Sequence, residues 1–147
     1  MSAVVVRLAN AVAAALNSEP LAPGLVAVRE YMPLFDLGKI GADAQVIVSP
    51  GGLVVTPVSR SHAHFDFSVE ISVQRRVSHE DTDQIDAMFG LVERIEDRLR
   101  QKELDSMPEA QWIGSEHEPF MPVEHLERMS VFTAVMTITY RVRRQTG

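Results

Sequence analysis

The sequence contains no cysteine. That one absence removes disulfide staples, thiolate zinc sites, iron–sulfur clusters and thiol nucleophiles together. Lysine is scarce: of the 14 basic side chains only Lys39 and Lys102 are lysines, and the rest are arginines. With a formal net charge of −6, the chain lacks the basic footprint of a nucleic-acid reader, so no sequence-specific nucleic-acid partner is expected. No apolar run approaches the roughly 20 residues needed to span a bilayer. Met1 to Leu16 is apolar but has no basic leader and is interrupted by Arg7, so it reads as mature helix rather than signal peptide. A soluble protein with no membrane partner is the expectation.

The motifs of common cofactor chemistry are missing too. Gly51-Gly52 sits between strand patterns with no Lys-Ser or Lys-Thr after it, so it is no phosphate loop, and there is no Gly-x-Ser-x-Gly elbow. His79-Glu80 and His117-Glu118 begin like a zinc-protease helix, but Asp83 and Met121 stand where the second histidine is required. Asp81-Thr82-Asp83 starts like a calcium loop, yet no glycine follows for the sharp turn. An acid-rich helix start explains it better. Glu116, Glu118, Glu124 and Glu127 read as solvated surface rather than a paired acid and base.

One metal-site pattern remains. In an extended strand His62, His64 and Asp66 fall on one side, where two imidazoles and a carboxylate could hold a divalent ion. A small metal-dependent hydrolase is therefore an alternative reading. The barrel fold that uses such a His-x-His needs about 250 residues and ligands from further strands, whereas this chain has 147. The polar start of a strand is the preferred account, so no catalytic residue, metal or cofactor is assigned.

What is present describes an ordinary globular chain. At 46% hydrophobic and 23% charged over 147 residues, it predicts one domain spanning residues 1–147 with its own core. Val5, Leu8, Ala9, Val12 and Leu16 recur at helical spacing against Arg7, Asn10, Asn17 and Ser18, predicting a first helix over Ala3 to Asn17. Pro20, Pro23 and Gly24 break it. Leu25 to Met32 alternates as a partly exposed strand, and Pro33 to Ala44 reads as loop. Gln45 to Ser49 and Leu53 to Val58 form a predicted hairpin turning at Pro50-Gly51-Gly52, with Pro57 confining the second arm to an edge or ending it.

The clearest alternation runs from Ala63 to Val77, with Phe65, Phe67, Val69, Ile71 and Val73 on one face. Ser78 to Asp81 resembles a helix cap before a stripe of Ile85, Met88, Phe89, Val92, Ile95 and Leu99, and Glu96 can pair with Arg100. Gln101 to Met107 reads as polar loop, Trp112-Ile113 as a short strand, and His125 to Met129 as one helical turn. Ser130 to Val142 has strand formers on both faces and should lie inside the sheet. The order is helix, strands, helix, strands. It predicts an α+β fold, a mainly antiparallel sheet with two helices packed on one face and the other face free.

The arginine excess has two accounts, interfaces or genome base composition. On the first, Arg60, Arg75, Arg76 and Arg141 are interface candidates, joined by the lone Trp112, which reads either as a core residue or as an interface anchor.

Taken in order, Arg60-Ser61, the strand Phe65 to Val77, the helix Leu91 to Leu99, Trp112-Ile113 and the closing Val131 to Val142 resemble the tail-terminator and tail-completion proteins of tailed bacteriophages. The resemblance lies in element order and hydrophobic pattern over nearly the whole chain. It implies a non-enzymatic virion component of the tail or neck, assembled in the host bacterial cytoplasm. Such a protein forms a homo-oligomeric ring, commonly a hexamer, that caps the head-proximal end of the tail tube and joins it to head–tail connector proteins. DNA passing through the ring would favour an acidic lumen. Another connector role, head completion or stopper, is the nearer alternative.

Overall fold

The computed structural model describes residues 3–31, 43–78, 80–117 and 130–145. Most of the expected loop Pro33 to Ala44 and the turn expected at His125 to Met129 lie outside the described residues. The elements, in order, are α1 (Val4–Leu16), β1 (Ala27–Arg29), β2 (Gln45–Pro57), β3 (His62–Arg76), α2 (Thr82–Leu99), β4 (Ala110–His117) and β5 (Val131–Gln145). The strands form one sheet in the order β1-β2-β3-β5-β4, antiparallel except for the β1–β2 pair. This is the predicted α+β class with a mainly antiparallel sheet.

Helix α1 buries Leu8, Ala9, Val12 and Leu16 of the predicted stripe, leaves Val5 half-buried, and keeps Arg7 and Asn10 outside. It packs against β1, β2 and β3. Asn17 ends it and extends the sheet: its side-chain amide donates to the Ala27 carbonyl (2.9 Å) and accepts from the Ala27 N–H (2.8 Å), imitating a ladder rung. The break that follows is a turn over Ala22-Pro23-Gly24-Leu25, closed by Leu25 N–H to Ala22 O. Proline enters it and Gly24, at φ +74°, supplies the left-handed position that a side chain resists.

Helix α2 starts at Asp81, whose carboxylate accepts from the Gln84 N–H at 3.1 Å. The cap is thus the last of the four residues in the expected signature. Met88, Leu91, Val92, Ile95 and Leu99 are buried; Phe89 is half-exposed, its ring edge-on to Phe132 at 5.3 Å. Arg100 pairs with Asp97, not Glu96, which faces His117 instead. Arg98 donates to the carbonyls of Leu16 and Glu19, tying α2 to the end of α1. Both helices share one core with the strand residues Val48, Val69, Ile71, Val73, Phe132, Met136 and Ile138. They therefore cover the same face of the sheet.

After α2 the chain turns through Gln101 in a left-handed conformation, φ 56°. A non-glycine residue there costs about 1 kcal/mol. Gln101→Gly is expected to raise stability by about 0.5–1 kcal/mol, read as a higher denaturation midpoint at unchanged slope. The segment Gln101 to Met107 is not the polar loop its composition suggests. Leu104 and Met107 are both 1% exposed, and consecutive turns, Met107 N–H to Leu104 O and Ala110 N–H to Met107 O, hold the backbone while those side chains enter the core.

Strand β3 is the middle strand, in register with β2 from Gln45↔Gln74 and with β5 along its whole length. The face away from the helices is not free throughout. Ile47, Ser49, Ser72 and Gln74 point there and are buried, Ser72 lying between Ile47 and Val135 in its row.

Candidate functional site

Pro50-Gly51-Gly52 is not a hairpin turn. β2 runs through it as one strand of 13 residues, with a register shift between Pro50 and Leu53. The turn chemistry is absorbed as a bulge, and β3 supplies the reason. Ser68 stands opposite, its hydroxyl accepting from the Gly52 N–H (2.7 Å) and approaching the Gly52 carbonyl (3.3 Å). A Cβ on Gly51 would fall 2.7 Å from the Ser68 carbonyl oxygen, so only glycine lets the strands close. The actual hairpin joins β2 to β3 through Val58 to Ser61, where the N–H groups of Val58 and Ser59 both donate to the His62 carbonyl.

The bulge divides β2 into two chemically different halves. Before it, Val46, Ile47 and Val48 are buried and β1 pairs along the outer edge. Beyond it, Gly51–Pro57 is exposed at every residue, and among the described residues nothing pairs with that edge. Leu53, Val54 and Val55 are 48%, 64% and 48% exposed, and Val58 is 58%. Val26, Val28 and Tyr31, on or beside β1, continue the same edge of the sheet. Among the described residues, Phe89 is the one exposed large hydrophobic elsewhere. The opposite edge, β4, exposes polar Gln111, Glu116 and His117.

The residues singled out from sequence occupy separate places. Arg60 is exposed at the hairpin tip. His62 is exposed and shares a hydrogen bond with Ser61 at 3.0 Å; with His64, Arg143, Val58, Ser59 and Ala63 it lines an open hollow of about 300 Å³. Asp66 is on the same face, but both of its oxygens meet Arg141, at 2.8 and 3.1 Å. The forked bond holds the Asp66 carboxyl below its ordinary range and the guanidinium above its own. No group of three histidine, aspartate or glutamate side chains placed to share a metal occurs among the described residues.

Because the Asp66 carboxyl is depressed, its contribution to stability is complete above the unfolded carboxylate value of about 3.9 and disappears as pH falls through the lower folded value. Solvent screens the partly exposed pair, so the effect is modest. Asp66→Asn is expected to melt below the parent protein at neutral pH, with the gap closing below about pH 4. Melting curves of both proteins across that range check it.

Arg75 and Arg76 end β3, half-buried and opposite Phe132 and Val131. That is about 30 Å along the strand from Asp66 and Arg141, at ~3.3 Å per residue. Trp112 is half-buried on β4 opposite Tyr140, its Nε1–H donating to Ser115 Oγ at 3.1 Å. Beside it an open cleft of about 410 Å³ is lined by Gln101, Lys102, Glu103, Pro108, Ala110 and Gln111. Tyr140 is fully buried, and its hydroxyl has no hydrogen-bond partner among the described residues; burial and the Glu96 carboxylate push its ionisation far upward, so it stays neutral. The five proposed interface residues thus form no single patch.

No protein-family model matches the chain, and no curated protein matches it. Among solved structures the fold recurs in a virion particle. It is the virion of a native gene transfer agent particle, one chain of which is similar at a TM-score of 0.54 and 17% identity, over 99% of this chain and 100% of that one. At that identity the likeness is one of fold.

The apolar edge leaves only a faint trace in the sequence. Leu53-Val54-Val55 puts hydrophobic side chains on both faces of a segment that proline then ends. No helix among the described residues is long and apolar enough to cross a membrane.

Proposed function

We propose that this chain is a structural, non-catalytic subunit of a phage-like particle. Its finer role is that of a tail terminator: a homo-oligomeric ring, hexameric by the resemblance, seated on the head-proximal end of the tail tube. It joins the tube to the connector while DNA passes through. The observation that carries this reading is the end-to-end likeness in fold to a virion chain, with neither chain left over. Two features support it. The exposed hydrophobics gather along one sheet edge, as a surface awaiting a protein partner requires. Asp66, the carboxylate of the metal-site alternative, is engaged by Arg141. Assembly takes place in the host cytoplasm and the product resides in the virion neck.

Tail tubes purified without a terminator, mixed with the protein and viewed by electron microscopy, test the role. A terminator caps one end of each tube. A stopper or head-completion protein leaves the tubes bare and binds connector rings.

A further inference from the structure

We infer that subunits join edge to edge, the apolar arm of β2 (Gly51–Pro57) adding as a strand to β4 (Ala110–His117) of a second copy. The inference rests on the ring reading above and specifies its contact. A long, exposed, hydrophobic edge strand is a template for another strand, and the β2 arm is such an edge beyond the three residues that β1 covers. The described part of the sheet has one other edge, β4, at the far end of the strand order.

The two edges match in length and differ in chemistry. Seven residues of β2 face eight of β4. The hairpin from Gly51 to Ser61 has no carboxylate and carries Arg60, whereas β4 has no lysine or arginine and exposes Glu116. Half-buried Trp112 and Ile113 on β4 offer apolar surface to Leu53, Val54 and Val55. Because the edges are unlike, the contact is head-to-tail, and head-to-tail contacts close into rings when the rotation permits. Pairing every β2 arm with a neighbouring β4 covers the exposed arm and the far edge in one contact, leaving the three-residue β1 as a short open edge. A β2-to-β2 contact would instead be self-complementary and stop at a dimer.

The cysteine-free sequence makes a direct test clean. Single cysteines are placed at Leu53, Val54 or Val55, and others at Ile113, Gly114 or Ser115, scanning registers within disulfide reach. The expected result is a dimer and no more when a β2 variant is mixed with a β4 variant, and a ladder of higher species ending at the ring when both cysteines share one chain. Val54→Lys with Val55→Lys, at exposed positions that leave the fold intact, should weaken self-association at least tenfold with an unchanged melting curve. A β2 variant that cross-links to itself overturns the inference in favour of a dimer. Rings that form without any β2–β4 cross-link overturn it and leave the ring reading standing. A chain that stays monomeric at every concentration and leaves tail tubes uncapped overturns both.

Discussion

Ile71→Ala is expected to remove about 3–4 kcal/mol of stability, enough to lower the melting temperature by roughly 10 °C. Ile71 sits on the middle strand, fully buried, with Val48 on one side and Met136 on the other. Its row is closed by strands on both flanks and by the helices above, so the hole left by the lost carbons has little freedom to collapse. A folded ensemble of a domain this size typically holds only about 5–15 kcal/mol in reserve, which makes the loss severe. Urea denaturation of both proteins measures it. The midpoint should fall at unchanged slope, and Ile71→Val should cost only about 1 kcal/mol.

Gly51→Ala is the second large effect, with a matched control beside it. The new methyl would lie 2.7 Å from both the carbonyl oxygen and the hydroxyl of Ser68, and the carbonyl belongs to the β3 backbone. Opening the strands there costs about 1–3 kcal/mol, as overpacking does elsewhere. Gly52→Ala meets Ser68 Oγ at 3.7 Å, an ordinary contact, and should change stability by less than about 0.5 kcal/mol. Two adjacent glycines in one bulge are thus predicted to differ strongly. Hydrogen exchange adds a local reading: faster exchange along Leu53 to Pro57 in Gly51→Ala, with the core rows unchanged, places the damage at the arm.

That bulge also explains what the sequence could and could not convey. The alternation of β3 was readable because the strand is paired on both sides for most of its length, leaving its two-residue period undisturbed from Phe65 to Val73. α1 was readable for the same kind of reason: its apolar stripe is buried and its polar face is not. Pro50-Gly51-Gly52, by contrast, carries genuine turn chemistry, and what makes it a bulge is Ser68, 16 residues away, presenting a hydroxyl to Gly52. Local propensity cannot report a partner at that distance. Leu104 and Met107 were concealed by the polar residues between them.

Arginine and tryptophan suit interfaces by residue type, and type does not encode position. Folding puts Arg141 into an ion pair with Asp66, Arg75 and Arg76 at the far end of β3, and Trp112 on the opposite edge from the exposed arm. The surface that emerged, Leu53 to Val55 with Val58, consists of residues whose composition reads as core. Their exposure follows from the sheet topology, because β1 is three residues long and stops short of the arm.

The central claim is that this protein acts by assembling with copies of itself. Native mass measurement over a range of concentrations tests it most directly. A discrete closed multiple of the 16.3 kDa chain, six copies for a hexamer, appearing alone or on tail tubes and lost in the Val54→Lys, Val55→Lys variant, is the predicted result. A 16.3 kDa species at every concentration, with or without tubes, would contradict it.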